Sequence, residues 1–179
     1  MTPPLSWRRA GAPPRSRAVF VDRDGVVTRW LHGFVLSEAE IVFNDEVIRA
    51  LGAIDRERYA LVVASNQSCV GRGLLSAERL RTIMDRVVDG MRARGAELDA
   101  WYCCIHAPGD GCPCRKPAPG LLTAARDELG LDLAASYFIG DQPSDMEAAR
   151  RAGAHGLPVR ADDAAGVRAR LASLSSRSR

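Results

Sequence analysis

The sequence predicts an α/β fold: a mostly parallel sheet covered by helices on both faces, in a three-layer, doubly wound, Rossmann-like arrangement. Short apolar runs alternate with amphipathic stretches along most of the chain. Strands separated by helices pair in parallel through right-handed crossovers. The chain has 179 residues, 46% of them hydrophobic and 26% charged, which is enough for one well-buried core.

Five strands and four helices follow from the hydrophobic pattern, and the first two strands are expected to be buried. The predicted strands are AVFVD (18–22), ALVVAS (60–65), AWYCC (100–104), SYFIG (136–140) and HGLPV (155–159). Helical periodicity is found around 44–57, 76–95, 119–129 and 143–152. Ser76 is expected to cap the second helix and Gly95 to follow its end, because a serine hydroxyl accepts first-turn N–H groups and glycine tolerates a left-handed conformation.

The two ends of the chain differ in composition from its body. Residues 1–17 and 164–179 each carry four arginines and no acidic residue. The body, 18–163, holds 17 basic against 22 acidic residues, so its net charge is −5 although the whole chain is +3. We therefore expect a disordered, basic, Pro-rich head at 1–17, one catalytic domain at 18–163, and a C-terminal helix end with a basic tail at 164–179.

Composition also disfavours several classes of protein. No apolar run approaches the roughly 18 residues that span a bilayer, and the first residues have no apolar signal region. A cytoplasmic protein that does not bind membranes is therefore expected. The acidic body makes nucleic acid an improbable partner, although the basic ends could still contact anions.

Polar residues follow four of the predicted strands, at the edge where ligands bind in such sheets. Asp-Gly, Ser-Asn and Gly-Asp pairs are common in turns and caps when they occur singly. Their coincidence on one edge favours a functional site. The segments are Asp22-Arg23-Asp24-Gly25, Ser65-Asn66-Gln67-Ser68, Arg115-Lys116-Pro117 and Gly140-Asp141 with Asp145.

The residue types at this edge indicate phosphoryl chemistry. Several carboxylates around one point repel each other without a cation, and Mg²⁺ accepts oxygen ligands and bridges to a phosphoryl oxygen. An aspartate can attack phosphorus, a second can protonate the leaving oxygen, and serine and lysine can hold phosphoryl oxygens. Lys116 is the only lysine among 25 basic residues, which supports a specific role for its ammonium group.

These segments resemble the four motifs of the haloacid dehalogenase superfamily, over roughly residues 18–160. The resemblance implies that Asp22 is the nucleophile, Asp24 the general acid and base, and Ser65 and Lys116 the groups that hold the phosphoryl oxygens. It also implies that Mg²⁺ is bound by the Asp22 side chain, the Asp24 backbone carbonyl and Asp141. A second aspartate two residues after the nucleophile is typical of the phosphatase branch, so hydrolysis of a phosphomonoester is expected.

A cluster of thiols and one imidazole predicts a structural zinc site. Three cysteines and one histidine within eleven residues match a closed tetrahedral Zn²⁺ site, although unrelated free thiols or a disulfide would also fit the composition. An intracellular enzyme disfavours the disulfide. Cys103 would point to the opposite face of its strand, and Cys69 is expected to be an ordinary loop residue. The predicted ligands are Cys104, His106, Cys112 and Cys114.

The zinc loop followed by Arg-Lys-Pro resembles one group inside the superfamily, which contains the heptose 1,7-bisphosphate phosphatases and the histidinol-phosphate phosphatases. The segment 65–73 and the His-Gly-Phe-Val loop at 32–35 are more similar to the heptose enzymes, whereas Cys69, Gly71 and Gln142 depart from their pattern. The resemblance therefore implies removal of one phosphate from a small phosphorylated sugar, D-glycero-D-manno-heptose 1,7-bisphosphate. The implied substrate-binding residues are His32, Gly33, Phe34, Ser65, Asn66, Gln67, Ser68, Arg115 and Lys116.

The spacing between motifs leaves no room for a cap domain, so an open site is expected, with specificity set by the loops at 28–36 and 66–73 and by the zinc loop. Three alternatives stay open. They are a histidinol-phosphate phosphatase, a polynucleotide 3′-phosphatase, which should carry a basic face beside the site, and a non-catalytic phosphate-binding module, which should have lost a motif residue.

Overall fold

A single six-stranded sheet forms the centre of the molecule. The computed structural model describes residues 2–176, without the side chains of 173, 175 and 176. The spatial order of the strands is β1-β4-β3-β2-β5-β6. Strands β2 to β6 pair in parallel, while β1 runs antiparallel to β4. The strands are β1 (Leu5–Arg8), β2 (Arg17–Val21), β3 (Tyr59–Asn66), β4 (Ala100–Cys104), β5 (Tyr137–Gly140) and β6 (His155–Pro158).

Helices cover both faces of this sheet. They are α1 (Asp45–Gly52), α2 (Ala77–Arg92), α3 (Gly120–Leu129), α4 (Pro143–Ala152) and α5 (Ala164–Ser176). Successive strand residues point to opposite faces, so the sheet separates two apolar clusters. Helices α1, α2 and α5 pack with Val19 and Leu61 on one face, and α3 and α4 pack with Phe20 and Val62 on the other. The predicted three-layer, doubly wound architecture is confirmed. None of the described helices is long and apolar enough to cross a membrane.

The helix ends follow local chemistry. The Ser76 hydroxyl accepts a hydrogen bond from the Arg79 N–H at 3.2 Å, and Gly95 has a left-handed φ of +89°, as the sequence predicts for the ends of α2. Helix α1 ends at Gly52, whereas the periodicity extends to about 57. The Asp55 side chain accepts the Glu57 N–H at 3.0 Å, and such a local turn competes with helical hydrogen bonding.

The expectation of a disordered head is wrong for residues 5–9. Strand β1 pairs with β4 along its whole length, and Leu5 and Trp7 pack against the apolar cluster on the α1 side. The Arg9 N–H continues this contact by donating to the Asp99 carbonyl at 2.8 Å. The alternation of apolar and polar residues in β1 extends over only four residues, too few to stand out in a Pro- and Arg-rich segment. The strand is formed because β4 supplies the backbone groups with which it pairs.

The strand order places the candidate site. The chain proceeds from β2 to β3 and β4 on one side, then crosses to β5 and β6 on the other, so the order reverses between β2 and β5. Ligands of doubly wound sheets bind at such a switch point, beyond the carboxyl ends of the strands. Segment 26–44 holds only a hairpin-like loop with a short 3₁₀ turn, and α2 is the one helix between β3 and β4. The described chain therefore has no inserted cap domain.

Candidate active site and metal centre

The Asp22 carboxylate lies where β2 ends, at the centre of this edge. Its Oδ2 is 2.9 Å from Lys116 Nζ, and its Oδ1 accepts the Arg23 N–H at 2.7 Å. Lys116 Nζ also lies 2.7 Å from Asp145 Oδ1 and donates to the Ala64 carbonyl at 2.9 Å. Burial, opposed by Lys116 and reinforced by Asp145, raises the pKa of Asp22 to about 6. Both oxygens of Asp22 are thus held in a defined orientation.

Asp141 joins Asp22 and Asp145 in a group of three carboxylates whose oxygens lie within 4.8 Å of one another. Lys116 supplies one positive charge against these three carboxylates, which leaves a formal net charge of −2. Asp141 Oδ1 is buried and has no hydrogen-bond partner among the described residues, and burial raises the pKa of this carboxyl group. An excess of negative charge, an unpartnered carboxylate oxygen and an all-oxygen donor set fit a divalent cation such as Mg²⁺.

Glycine at position 25 allows the loop after β2 to lie close to the Asp141 carboxylate, which follows β5. Gly25 has a φ of +83°, and a Cβ at that position would lie 2.7 Å from Asp141 Oδ2. Any other residue would be strained and would displace the Asp141 carboxylate.

The Asp24 carboxylate is held by buried donors. Arg23, whose whole residue is 1% exposed, donates from Nε and Nη2 to the two Asp24 oxygens, both at 2.9 Å. Gln67 Nε2 donates to Asp24 Oδ2 at 3.0 Å and to the Ser65 hydroxyl at the same distance, and the Thr28 hydroxyl donates to Asp24 Oδ1 at 3.2 Å. Burial opposes the charge of Asp24, but Arg23 and the other donors lower its pKa. Asp24 is therefore an anion in this arrangement.

Asn66 connects the end of β3 to the lysine. Its Nδ2 donates to the Lys116 carbonyl and its Oδ1 accepts the Lys116 N–H, both at 3.0 Å. This reciprocal pair spans fifty positions of sequence and fixes the backbone from which the ammonium group extends. The structure therefore places the side chain of Asn66 against the backbone of Lys116.

The predicted zinc ligands form a second cluster beside Lys116. Cys104 Sγ lies 3.5 Å from Cys112 Sγ and 3.6 Å from His106 Nδ1, while Cys114 Sγ lies 3.7 Å from Cys112 Sγ and 3.3 Å from His106 Nδ1. A tetrahedral Zn²⁺ with ordinary bond lengths would separate two sulfurs by about 3.8 Å and a sulfur from a nitrogen by about 3.6 Å. The pKa of Cys104 is lowered to about 5, and the hydrogen bond with Cys114 is the largest cause. The spacing of the four atoms fits one tetrahedral ion.

The two remaining cysteines lie outside this cluster. Cys103 is buried on the opposite face of β4, and burial raises the pKa of its thiol to about 12. Cys69 is buried in the loop after β3, where its thiol lies 3.7 Å from the Gln67 carbonyl and burial raises its pKa. Both positions agree with the sequence analysis.

Comparison with known proteins assigns the family. The HAD-hydrolase-like family model matches residues 113–172. The D-glycero-β-D-manno-heptose-1,7-bisphosphate 7-phosphatase of Yersinia pestis is 39% identical over 139 residues, which are 74% of this chain and 73% of that protein. The protein of the same name from Vibrio cholerae is 40% identical over 143 residues, 76% of each chain. The chain belongs to this family of haloacid dehalogenase phosphatases.

Solved structures agree with that assignment. A HAD-like protein from Mesorhizobium loti superposes with a TM-score of 0.85 and 30% identity, covering 100% of this chain and 97% of its own. The D,D-heptose 1,7-bisphosphate phosphatase from B. bronchiseptica, solved with magnesium and phosphate, has a TM-score of 0.81 and 28% identity, covering 90% and 99%. The fold of this phosphatase is therefore shared over almost the whole chain.

The two expected substrate loops of the phosphatase contact each other. The Phe34 ring, on the exposed part of the 28–43 loop, lies 5.9 Å from the guanidinium of Arg72 in the 66–73 loop. Neighbouring His32 has a φ of +57° and its ring lies 4.8 Å from that of Trp30. Gly71 packs so closely against the zinc-loop backbone that a Cβ would collide with it. The 66–73 loop thus contacts both the loop that carries Phe34 and the zinc loop, while His32 and Gly33 are exposed.

Two features of the phosphatase site went beyond the sequence prediction. The sequence gives Asp145 no role beyond its place in a motif, and the structure places it against Lys116 and against the Gln142 N–H, which donates at 3.1 Å. The sequence likewise gives no role to Arg23, yet its side chain is buried against Asp24. The available signal was an arginine between two aspartates directly after an apolar strand. Gln142, where a lysine is usual, donates to Asp141 Oδ2 at 2.7 Å.

Proposed function

We propose that this phosphatase removes the 7-phosphate from D-glycero-β-D-manno-heptose 1,7-bisphosphate through an aspartyl-phosphate. The observation that carries the proposal is the Asp22 carboxylate, oriented by Lys116 at 2.9 Å beside the unpartnered Asp141 oxygen. The choice of substrate follows the names of the relatives that are 39–40% identical over three quarters of the chain.

In the first step, a carboxylate oxygen of Asp22 attacks phosphorus, an Asp22–phosphorus bond forms, and the bond between phosphorus and the sugar oxygen breaks. Lys116 and the Ser65 hydroxyl hold oxygens of the transferred group, where negative charge accumulates. Asp24 donates a proton to the leaving sugar oxygen. Because Asp24 is an anion on Arg23 in the resting arrangement, its side chain has to leave Arg23 and take up a proton before it can act as an acid.

In the second step, water attacks the phosphorus of the aspartyl-phosphate. Asp24, now a carboxylate, accepts the proton of that water, and the Asp22–phosphorus bond breaks to release phosphate and regenerate the free carboxylate. Gln67 lies between Asp24 and Ser65 and keeps both side chains within reach of the same phosphoryl group.

Two metals are part of the proposal. The Asp22 side chain, the Asp24 backbone carbonyl and Asp141 would hold Mg²⁺, which when bound supplies positive charge that neutralises the phosphoryl oxygens and the carboxylates. This assignment is supported by the orphaned Asp141 oxygen and by the magnesium in the structure from B. bronchiseptica. The zinc ligands would be Cys104, His106, Cys112 and Cys114, in a closed and therefore structural site.

The rest of the substrate would be held by the loops around the site. Among the described residues, the buried Nη1 of Arg115 has no hydrogen-bond partner, and an anionic or hydroxyl group of the sugar would supply one. The remaining proposed contacts are those of the loops implied by the family resemblance. They are His32, Gly33, Phe34, Gln67 and Ser68, whereas the side-chain amide of Asn66 is bonded to the backbone of Lys116.

A substrate panel tests the proposal. Phosphate release should be measured with heptose 1,7-bisphosphate, histidinol phosphate, a 3′-phosphorylated oligonucleotide and an aryl phosphate, with added Mg²⁺. We expect the heptose bisphosphate to have the highest kcat/KM, and ³¹P NMR of the product to show loss of the 7-phosphate signal. If kcat/KM for histidinol phosphate were higher by tenfold or more, the heptose assignment would be refuted, whereas the aspartyl-phosphate mechanism would not be.

The nucleophile is tested by Asp22→Asn. This change keeps the size of the side chain and removes its charge, so turnover of every substrate should fall by several orders of magnitude. A tenth of the wild-type rate would exclude Asp22 as the nucleophile.

A further inference from the structure

A cluster of three arginines lies at the edge of the sheet opposite the candidate active site. Arg9 follows β1, Arg15 precedes β2, Arg56 precedes β3, and all three converge on Asp99, which precedes β4. Strand β3 has eight residues, so this arginine cluster is roughly 25 Å from the catalytic carboxylates. It is therefore outside the site that the proposed reaction uses.

The carboxylate of Asp99 is fully occupied. Its Oδ1 accepts from Arg9 at 2.9 Å and Arg15 at 3.1 Å, and its Oδ2 accepts from Arg56 at 2.5 Å and from the Leu61 N–H at 2.8 Å. The side chain of Asp99 is 3% exposed. One buried negative charge thus faces three positive charges and has no acceptor position left for a further donor.

The arginine cluster keeps an excess of positive charge. Among the described ion pairs, Glu97 is the one other carboxylate that contacts it, at 3.5 Å from Arg9 Nη1, and its side chain is half-exposed. Arg9 Nε and Arg56 Nη1 are buried, and neither has a hydrogen-bond partner in the described part of the chain. The side chains of Arg9 and Arg56 are 20% and 25% exposed, so an ion from solvent meets the exposed part of each side chain and reaches the two buried nitrogens once these side chains move.

We propose that the arginine cluster is a binding site for a phosphate group. A tetrahedral oxyanion carries several acceptor oxygens and up to two negative charges, which suit the two unpartnered N–H groups and the one positive charge that Asp99 and Glu97 together leave unbalanced. The ligand is either free inorganic phosphate or the phosphate of a monoester. Because the arginine cluster ties the head of the chain to β3 and β4, a bound phosphate stabilises the fold. The proposal is independent of the phosphatase reaction.

The test is the thermal melting temperature of the full chain without added magnesium, in inorganic phosphate, in methylphosphonate, and in sodium chloride of equal ionic strength. Phosphate at about ten times its dissociation constant should raise Tm by roughly 3–6 °C relative to chloride. An equal shift with methylphosphonate would show that the site also accepts a substituted phosphate such as a monoester, whereas a shift with phosphate alone would restrict the ligand to the free ion. No shift relative to chloride would overturn the proposal.

Variants separate this site from phosphate bound at the active site. Arg56→Gln should lose most of the phosphate-dependent shift, and Arg8→Gln, an equal change of charge next to Arg9, should retain it. Glu97→Gln removes the competing carboxylate and leaves all three arginines and Asp99 in place, so it should increase the shift even if Arg56→Gln fails to fold. If Glu97→Gln leaves the shift unchanged, or Arg56→Gln folds and keeps it, the site is not where we place it.

Discussion

The role of Asn66 can be decided by one substitution. The family resemblance implies that Asn66 binds substrate, whereas the structure shows its side-chain amide in two hydrogen bonds to the backbone of Lys116, both at 3.0 Å. Asn66→Ala removes both bonds. Each contributes about 0.5–1.5 kcal/mol, so the free energy of unfolding should fall by about 2 kcal/mol and Tm by roughly 4–8 °C for a chain of this size.

The kinetic consequence follows from the position of the ammonium group. Lys116 Nζ is held to Asp22 and Asp145 at 2.9 and 2.7 Å, and a backbone shift approaching 1 Å misaligns it for every substrate. Asn66→Ala should therefore lower kcat/KM by roughly ten- to a hundredfold for heptose bisphosphate and by a similar factor for a small aryl phosphate.

The assay compares kcat/KM for those two substrates in the wild type, Asn66→Ala and Asn66→Asp. The aspartate variant keeps an acceptor for the Lys116 N–H but loses the donor to its carbonyl, so it should fall between the other two. A loss confined to the heptose bisphosphate, with Tm unchanged, would refute the reasoning and show that Asn66 acts on the sugar.

Three further outcomes are expected. Arg115→Ala should lower kcat/KM for the bisphosphate by roughly ten- to a hundredfold, since one charge-assisted contact contributes about 1.5–3 kcal/mol. It should lower kcat/KM for an aryl phosphate much less. Equal losses for the two substrates would contradict a contact between Arg115 and the sugar. Metal analysis of protein purified without chelator should find about one Zn²⁺ per chain, lost together with thermal stability in Cys112→Ser; full activity and stability without metal would oppose a zinc site. Burial acts against the charge of Asp99, but Arg9 and Arg56 hold its pKa below the usual value. The ionised carboxylate therefore stabilises the fold above the unfolded pKa of about 3.9, and this stabilisation is lost as pH falls through the lower folded pKa. The Tm difference between wild type and Asp99→Asn, measured without phosphate, should therefore be largest near pH 7 and shrink below about pH 4; a constant difference would argue against the ion pairs.

Most of the fold could be predicted because it repeats one local pattern. Strands such as Val19–Val21 are apolar on both faces, and helices such as α2 carry an apolar stripe and a capping serine, so each element is recognisable within its own residues. The predicted end of α1 was wrong, and the strand β1 was not predicted. In the first case a side-chain turn at Asp55 ends the helix, and in the second a four-residue strand depends on its partner β4.

The sequence by itself determined which chemistry this protein can perform, because Asp22, Asp24, Lys116 and Asp141 follow strands that must end at the same edge of a parallel sheet. The tertiary structure alone decided which partner each side chain takes. Arg23 turns inward to hold Asp24, Asn66 binds a backbone fifty residues away, and the arginines of the head meet at Asp99. The physical reason is that hydrophobic periodicity is a property of neighbouring residues, whereas hydrogen bonds and ion pairs depend on distances that exist only after distant segments have packed.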